Sequence, residues 1–194
     1  VTTLEMLQAQ RRLLVRQRVR MMVNQYEVHV PGPDGESEAA MVAFAQQKRL
    51  AFREQVTIYT DDSKQKPLLS FKARQALDLG ATYDVFDQFG NQIGLFRKDF
   101  GSSLLRSTWH LEQPQLGTVT GRERNQLVAI LRRFVDGLDW LPYHFDFTNG
   151  DQPAFSVDKK WALRDRYVVD IADPWLDRRL VIAMAVALDA LQGR

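Results

Sequence analysis

The chain has no cysteine. Disulfide frameworks, thiolate metal sites, iron–sulfur clusters and cysteine nucleophiles are thereby excluded, and a reducing compartment suits the composition. It has little net charge: 26 Lys and Arg against 24 Asp and Glu leave +2, short of the basic footprint of a dedicated nucleic-acid binder. It has no long apolar run. The longest, Leu180–Leu188, is nine residues, where a membrane-spanning helix needs about 20. Val1 to Gln10 lack the apolar core of a secretory leader. Gly/Ser linkers, fixed-period repeats and low-complexity tracts are missing too. What remains is 194 residues, 45% of them hydrophobic, enough for one domain with its own core. Charge is mildly uneven, with residues 1–74 at +4 and residues 75–194 at −2.

Period-2 alternation dominates the first 120 residues and predicts strands. From Leu13 to Met22, Leu13, Val15, Val19 and Met21 share one parity, with Gln17 the exception. Arg16, Arg18 and Arg20 share the other, so a strand projects all three arginines from one side. Tyr26–Val30 alternates again and stops at the turn Pro31-Gly-Pro-Asp-Gly35. Strands follow at 41–46, 54–60 and 67–74, the last with Lys72 and Arg74 opposite Leu69, Phe71 and Ala73. Tyr83–Asp87 and Gln92–Arg97 flank Gln88-Phe-Gly-Asn91, a hairpin turn. Further strands are expected at 107–111, 116–120, 143–147, 154–157 and 166–171.

Two segments predict helices. Thr120-Gly-Arg-Glu123 has capping-box spacing ahead of Leu127, Ile130, Leu131 and Phe134, and Gly137 is placed to end such a helix. That gives an outer helix near 120–136 with a single apolar stripe. The second begins at Asp173 as N-cap with Pro174 in the first turn. It is apolar all round from Leu180 to Leu188, which demands burial inside protein because it is too short for lipid. The fold class is therefore mainly β with α, with many strands around one terminal helix.

Catalytic signatures are scarce. His29, His110 and His144 lie far apart, with no His-x-x-x-His or Glu-x-x-His spacing for a metal. The nucleophile-elbow Gly-x-Ser-x-Gly and the phosphate-binding glycine loops are absent. No cofactor is implied.

Four stretches carry a family resemblance. Tyr83-Asp-Val-Phe-Asp-Gln-Phe-Gly-Asn-Gln-Ile-Gly-Leu-Phe-Arg-Lys98 resembles a hairpin of the LURP-one-related branch of the tubby C-terminal-like superfamily, a branch related to the phospholipid scramblases. Leu14-Val-Arg-Gln-Arg18 resembles its opening strand, Leu163–Ile171 its late Asp-x-Tyr-x-Val strand, and Arg178–Leu188 its final helix. The resemblance implies a closed barrel of about twelve strands threaded by the C-terminal helix. Residues 1–12 are then a lead-in and residues 13–194 the barrel domain. The helix near 120–136 has no counterpart and is expected outside the barrel.

The resemblance also implies a non-enzymatic domain. Tubby-like barrels include phosphoinositide binders that use basic side chains on the outer face. The candidates for anionic membrane headgroups are Arg16, Arg18, Arg20, Lys64, Lys66, Lys72, Arg74, Arg97 and Lys98, each contributing about 1 kcal/mol near a charged surface. The alternative for these cations is simple pairing with Glu or Asp, and the alternative partner is a protein. Nucleic acid is disfavoured by the low net charge and the lack of an aromatic stacking pattern. Scramblase-like lipid translocation is the rival function, and an enzyme with a pocket invisible in sequence is the third. In scramblases an acidic segment before the last helix is a proposed calcium site. Asp170, Asp173 and Asp177 occupy that place but lack EF-hand spacing, so strand end, cap and dipole carboxylate is the reading taken. A cytoplasmic, membrane-peripheral location is expected.

Overall fold

The computed structural model describes residues 2–20, 23–48, 55–74, 82–99, 108–124, 144–160 and 166–192. A short helix α1 (Thr3–Gln8) leads into β1 (Arg12–Arg20), β2 (Val23–Pro31), β3 (Glu38–Lys48), β4 (Val56–Tyr59), β5 (Pro67–Ala73) and β6 (Thr82–Asp87). Next come β7 (Gln92–Asp99), β8 (Thr108–Gln113), β9 (Gly117–Glu123), β10 (His144–Asn149), β11 (Gln152–Lys160), β12 (Arg166–Ile171) and the terminal helix α2 (Arg178–Gln192). Each strand pairs antiparallel with its sequence neighbour, and β1 closes on β12 to complete a twelve-stranded barrel. Closure leaves no strand edge among the described strands.

Alternation fills the interior. Leu13 and Val15 of β1, Tyr26 and Val28 of β2, Phe71 of β5, Phe96 of β7 and Val169 of β12 are all buried, as period 2 requires. Leu180 to Leu188 of α2 is buried without interruption, so the apolar helix is the core of the barrel. The wall makes room for it at Gly94, where a Cβ would come within 2.9 Å of the Leu180 side chain and 2.5 Å of the Glu112 carbonyl oxygen. Gln17, the odd residue on the inward parity of β1, is buried as well. Its amide lies 3.5 Å from the Tyr26 hydroxyl and 3.4 Å from that of Tyr167. Both hydroxyls donate to Asp189 of α2, Tyr26 at 2.7 Å. This polar layer ties the last turns of the helix to β2 and β12.

Two helix expectations are corrected. Thr120 to Glu123 belong to β9, paired with both β8 and β10, so no helix starts at Thr120. Gly121 faces the Phe147 ring, which a Cβ there would enter, and cross-strand packing prevails over the capping-box spacing. The remainder of that expected helix lies outside the described residues. The same spacing does form a capping box at Thr2 and Glu5, at the start of α1. The second correction concerns the terminal helix, which starts at Arg178, not after Asp173. Asp173 instead accepts the Trp175 amide in a tight turn, and Asp177 caps α2 by accepting the Arg179 amide at 2.8 Å.

Candidate outer-wall binding face

Arg16 and Arg18 leave β1 on the parity opposite Leu13 and Val15, so they stand on the outer wall. Glu27 of β2 faces Arg16 in register. It sits beneath both arginines, 2.6 Å from Arg16 Nη2 and 2.8 Å from Arg18 Nε. Glu27 is only 6% exposed. Burial pushes its pKa up, but the hydrogen bond and charge of Arg16, then Arg18 and His29, outweigh this and hold it below the usual carboxylate range. A second carboxylate, Glu38, lies 2.9 Å from Arg16 Nη1 and 3.7 Å from Arg166 Nη2. The side chain of Arg20 is outside the described residues.

Beside this row the wall opens into a cleft of about 520 Å3. Leu14 and Val168, paired across β1 and β12, lie in it, and Arg12, Arg124, Lys160 and Arg166 stand around them with Glu36, Glu38, His144, Asp158 and Asp170. Arg12 makes a two-pronged pair with Asp170 at 2.6 and 3.0 Å. Arg124 reaches Asp146 at 2.7 Å through Nε and Asp158 at 3.6 Å. These bonds to Asp170 and Asp146 raise the pKa of Arg12 and of Arg124. His144 Nδ1 lies 2.7 Å from Asp158. Lys160 is exposed and has no ion pair among the described residues.

Charges balance in number on this wall but not in height. The side chains of Arg18, Arg124 and Arg166 are 39%, 53% and 50% exposed, while those of Glu27, Glu38 and Asp158 are 8%, 16% and 23%. Glu27, Glu38 and Asp158 lie low and orient the guanidinium groups above them, whereas Asp170 and Asp146 stand nearly level with Arg12 and Arg124. An approaching anion meets planar donors already fixed in place, next to an apolar strip.

The other basic candidates do not join this face. In the ring order β5 is four strands from β1 and β7 is six, halfway round. On β5, Lys72 packs over the Phe86 ring at 5.3 Å, and Arg74, one residue past the strand, pairs with Asp84. On β7, Arg97 faces Glu112 at 3.6 Å. Lys98, one residue on, shares the inward parity of Phe96 and lies 5.7 Å over the ring of buried Trp109. Strand alternation alone requires consecutive Arg97 and Lys98 to face opposite ways. Lys64 and Lys66 stand on the β4–β5 turn at one end of the barrel, Lys64 with φ +58°. Conversely, Arg12, Arg124, Lys160 and Arg166 were missed by sequence reading. They come from four separate segments, and only the β1–β12 closure brings them together.

The acidic trio is likewise dispersed in role. Asp170 pairs with Arg12, Asp173 caps a turn and Asp177 caps α2. Among the described residues no group of three or more His, Asp or Glu is arranged to hold a metal ion. No helix among them is long and apolar enough to cross a membrane.

A closed antiparallel barrel built around its own C-terminal helix defines a class of proteins, and the sequence comparison agrees. The LURP-one-related family model matches residues 41–189, and the chain belongs to that family, which is related to the tubby-like superfamily. The family is generally non-enzymatic. Comparison with curated proteins gives no match.

Proposed function

We propose that this chain is a non-enzymatic binding domain that recognises anionic headgroups at a membrane surface through its β1–β12 wall. The observation that carries the reading is the difference in height of the charges there. Arg18 and Arg166 stand above Glu27 and Glu38, and exposed Lys160 has no ion pair among the described residues. Half-buried Val168, beside buried Leu14, gives the cleft an apolar floor suited to the glycerol and first methylenes of a lipid. A non-enzymatic role accords with the displaced pKa values of the described residues, which trace to ion pairs, caps, turns and burial. A translocating role for α2 has the opposite support, because moving that helix into lipid empties the barrel of its core.

The test is co-sedimentation with anionic and zwitterionic vesicles at low and high salt. Attraction should fall as the screening length shortens from about 10 Å at 0.1 M toward about 3 Å at 1 M. Changing Arg18, Lys160 and Arg166 together to Gln should cost about 3 kcal/mol, on the order of 100-fold in affinity, at about 1 kcal/mol per cation. Arg16 is left intact because Glu27 and Glu38 both depend on it, and losing it would cost about 3–5 kcal/mol of stability. Equal binding to both vesicle types, or none at low salt, contradicts the reading.

A further inference from the structure

Phe89 and Trp175 are the two large hydrophobic side chains that stand exposed among the described residues, each at 81%. Both lie at the same end of the barrel, where even-numbered strands finish and α2 enters. Phe89 tips the β6–β7 turn, and Trp175 sits in the segment between β12 and α2. Neither is on a loose loop. Asp87 accepts the amides of Phe89 and Asn91 at 2.9 and 2.8 Å, and Gly90 takes φ +86° to close the turn. Asp173 accepts the Trp175 amide at 2.8 Å, and Gln113 donates to the Trp175 carbonyl at 3.0 Å. Arg179 joins the two segments, bonding Asp177 at 2.7 Å and reaching Gln88 at 3.4 Å. Backbone held in this way loses little entropy on binding, and aromatic side chains with few rotatable bonds add little more.

Their surroundings select the partner. A groove of about 760 Å3 runs beside these turns, lined by Gln92, Leu95, Gln113, Pro114 and Leu116, with Glu112 its one charged residue. Across the turns at this end (31–37, 60–66, 87–92, 113–117, 149–152 and 172–179) eight carboxylates face four cations, and Arg11 and Arg12, where β1 begins at the same end, bring the balance to −2 in a chain whose total is +2. One of those four, Arg178, is buried and donates to the carbonyls of Gln10, Pro174 and Leu176. This balance favours a cationic partner over an anionic membrane. We infer that the turn end of the barrel docks a basic, apolar segment of a partner protein. Phe89 and Trp175 supply the apolar contact, and Asp87 and Asp173 receive the partner's lysines or arginines. Because Phe89 and Trp175 sit on the β6–β8 side of this end, at least four strands round the ring from β1 and β12, the domain can hold a membrane by its side and a protein by its end.

The probes are two synthetic amphipathic peptides of equal length, one of Lys and Leu and one of Glu and Leu, titrated against the full chain and followed by tryptophan fluorescence and calorimetry. The Lys/Leu peptide should bind at least tenfold tighter than the Glu/Leu peptide, and more weakly at high salt. Phe89→Ser/Trp175→Ser, followed by calorimetry, should lose at least tenfold in affinity for the Lys/Leu peptide. Its melting temperature should be unchanged, since both side chains lie in solvent. Arg18→Gln/Lys160→Gln/Arg166→Gln should bind the peptide as the native chain does, which separates this inference from the headgroup reading. Equal binding of the two peptides, or a double variant that binds the Lys/Leu peptide like the native chain, overturns the inference. So does a double variant that loses vesicle binding instead, which would make the aromatics a membrane anchor.

Discussion

Asp177 combines a backbone role with an ionic one. It caps α2 through the Arg179 amide, bonds the Arg179 guanidinium at 2.7 Å and accepts from Gln8 of α1 at 2.7 Å. Burial pushes its pKa up, yet the bonds from Arg179 and Gln8 and the charge of Arg179 leave it lowered. A carboxylate with a depressed folded-state pKa stabilises the fold above its unfolded pKa of about 3.9. That contribution fades as pH falls through the lower folded value. Asn caps a helix about as well as Asp, so Asp177→Asn isolates the ionic part. It should cost about 1 kcal/mol at pH 7. Melting temperature against pH should then be flatter below about pH 4 for the variant than for the native chain. Parallel curves would place the acid sensitivity in other carboxylates.

At the scale of the element, α2 decides the fold. From Leu180 to Leu188 it is buried all round, and a charge placed there has no partner. Val186→Asp sets a carboxylate against the barrel wall, a cost of several kcal/mol against a total stability of about 5–15. Circular dichroism should show an unfolded or severely destabilised chain, and an unchanged melting temperature would mean that α2 is not the core. The elements were largely legible in the sequence. Alternation and turn signals placed a strand at each of the twelve described strands, with β9 ended too soon at Thr120, and the nine-residue apolar run showed that α2 is enclosed. Failures came where two residues apart in sequence were read without their neighbours in space. Thr120 and Glu123 carry the same spacing as Thr2 and Glu5, but only the second pair forms a capping box. β8 and β10 claim the backbone of the first. The start of α2 was placed too early because Asp173 and Asp177 are both competent caps and Pro174 suits a first turn. Buried Arg178, bonded to three carbonyls, holds the intervening residues in a turn instead.

At the scale of the whole molecule, the barrel sorts its charges by direction. The arginine row on β1 was visible as a parity, but its carboxylate supports Glu27 and Glu38 come from β2 and β3, and its neighbours Arg166, Lys160 and Arg124 from the far end of the chain. No local pattern reports such a meeting. Nor does local pattern show that β5 and β7 carry their cations to other sides of the ring. The central claim is that the β1–β12 wall, and not basic charge in general, meets the anionic surface. Amide chemical-shift mapping of the native chain on anionic against zwitterionic bicelles tests it most directly. The expected result is a contiguous set of perturbed amides in Arg12–Arg18, Asp158–Lys160 and Arg166–Asp170, present only with anionic lipid, with Lys72, Arg74 and Arg97 unmoved. Perturbations centred on β5 and β7, or spread evenly around the barrel, would contradict it.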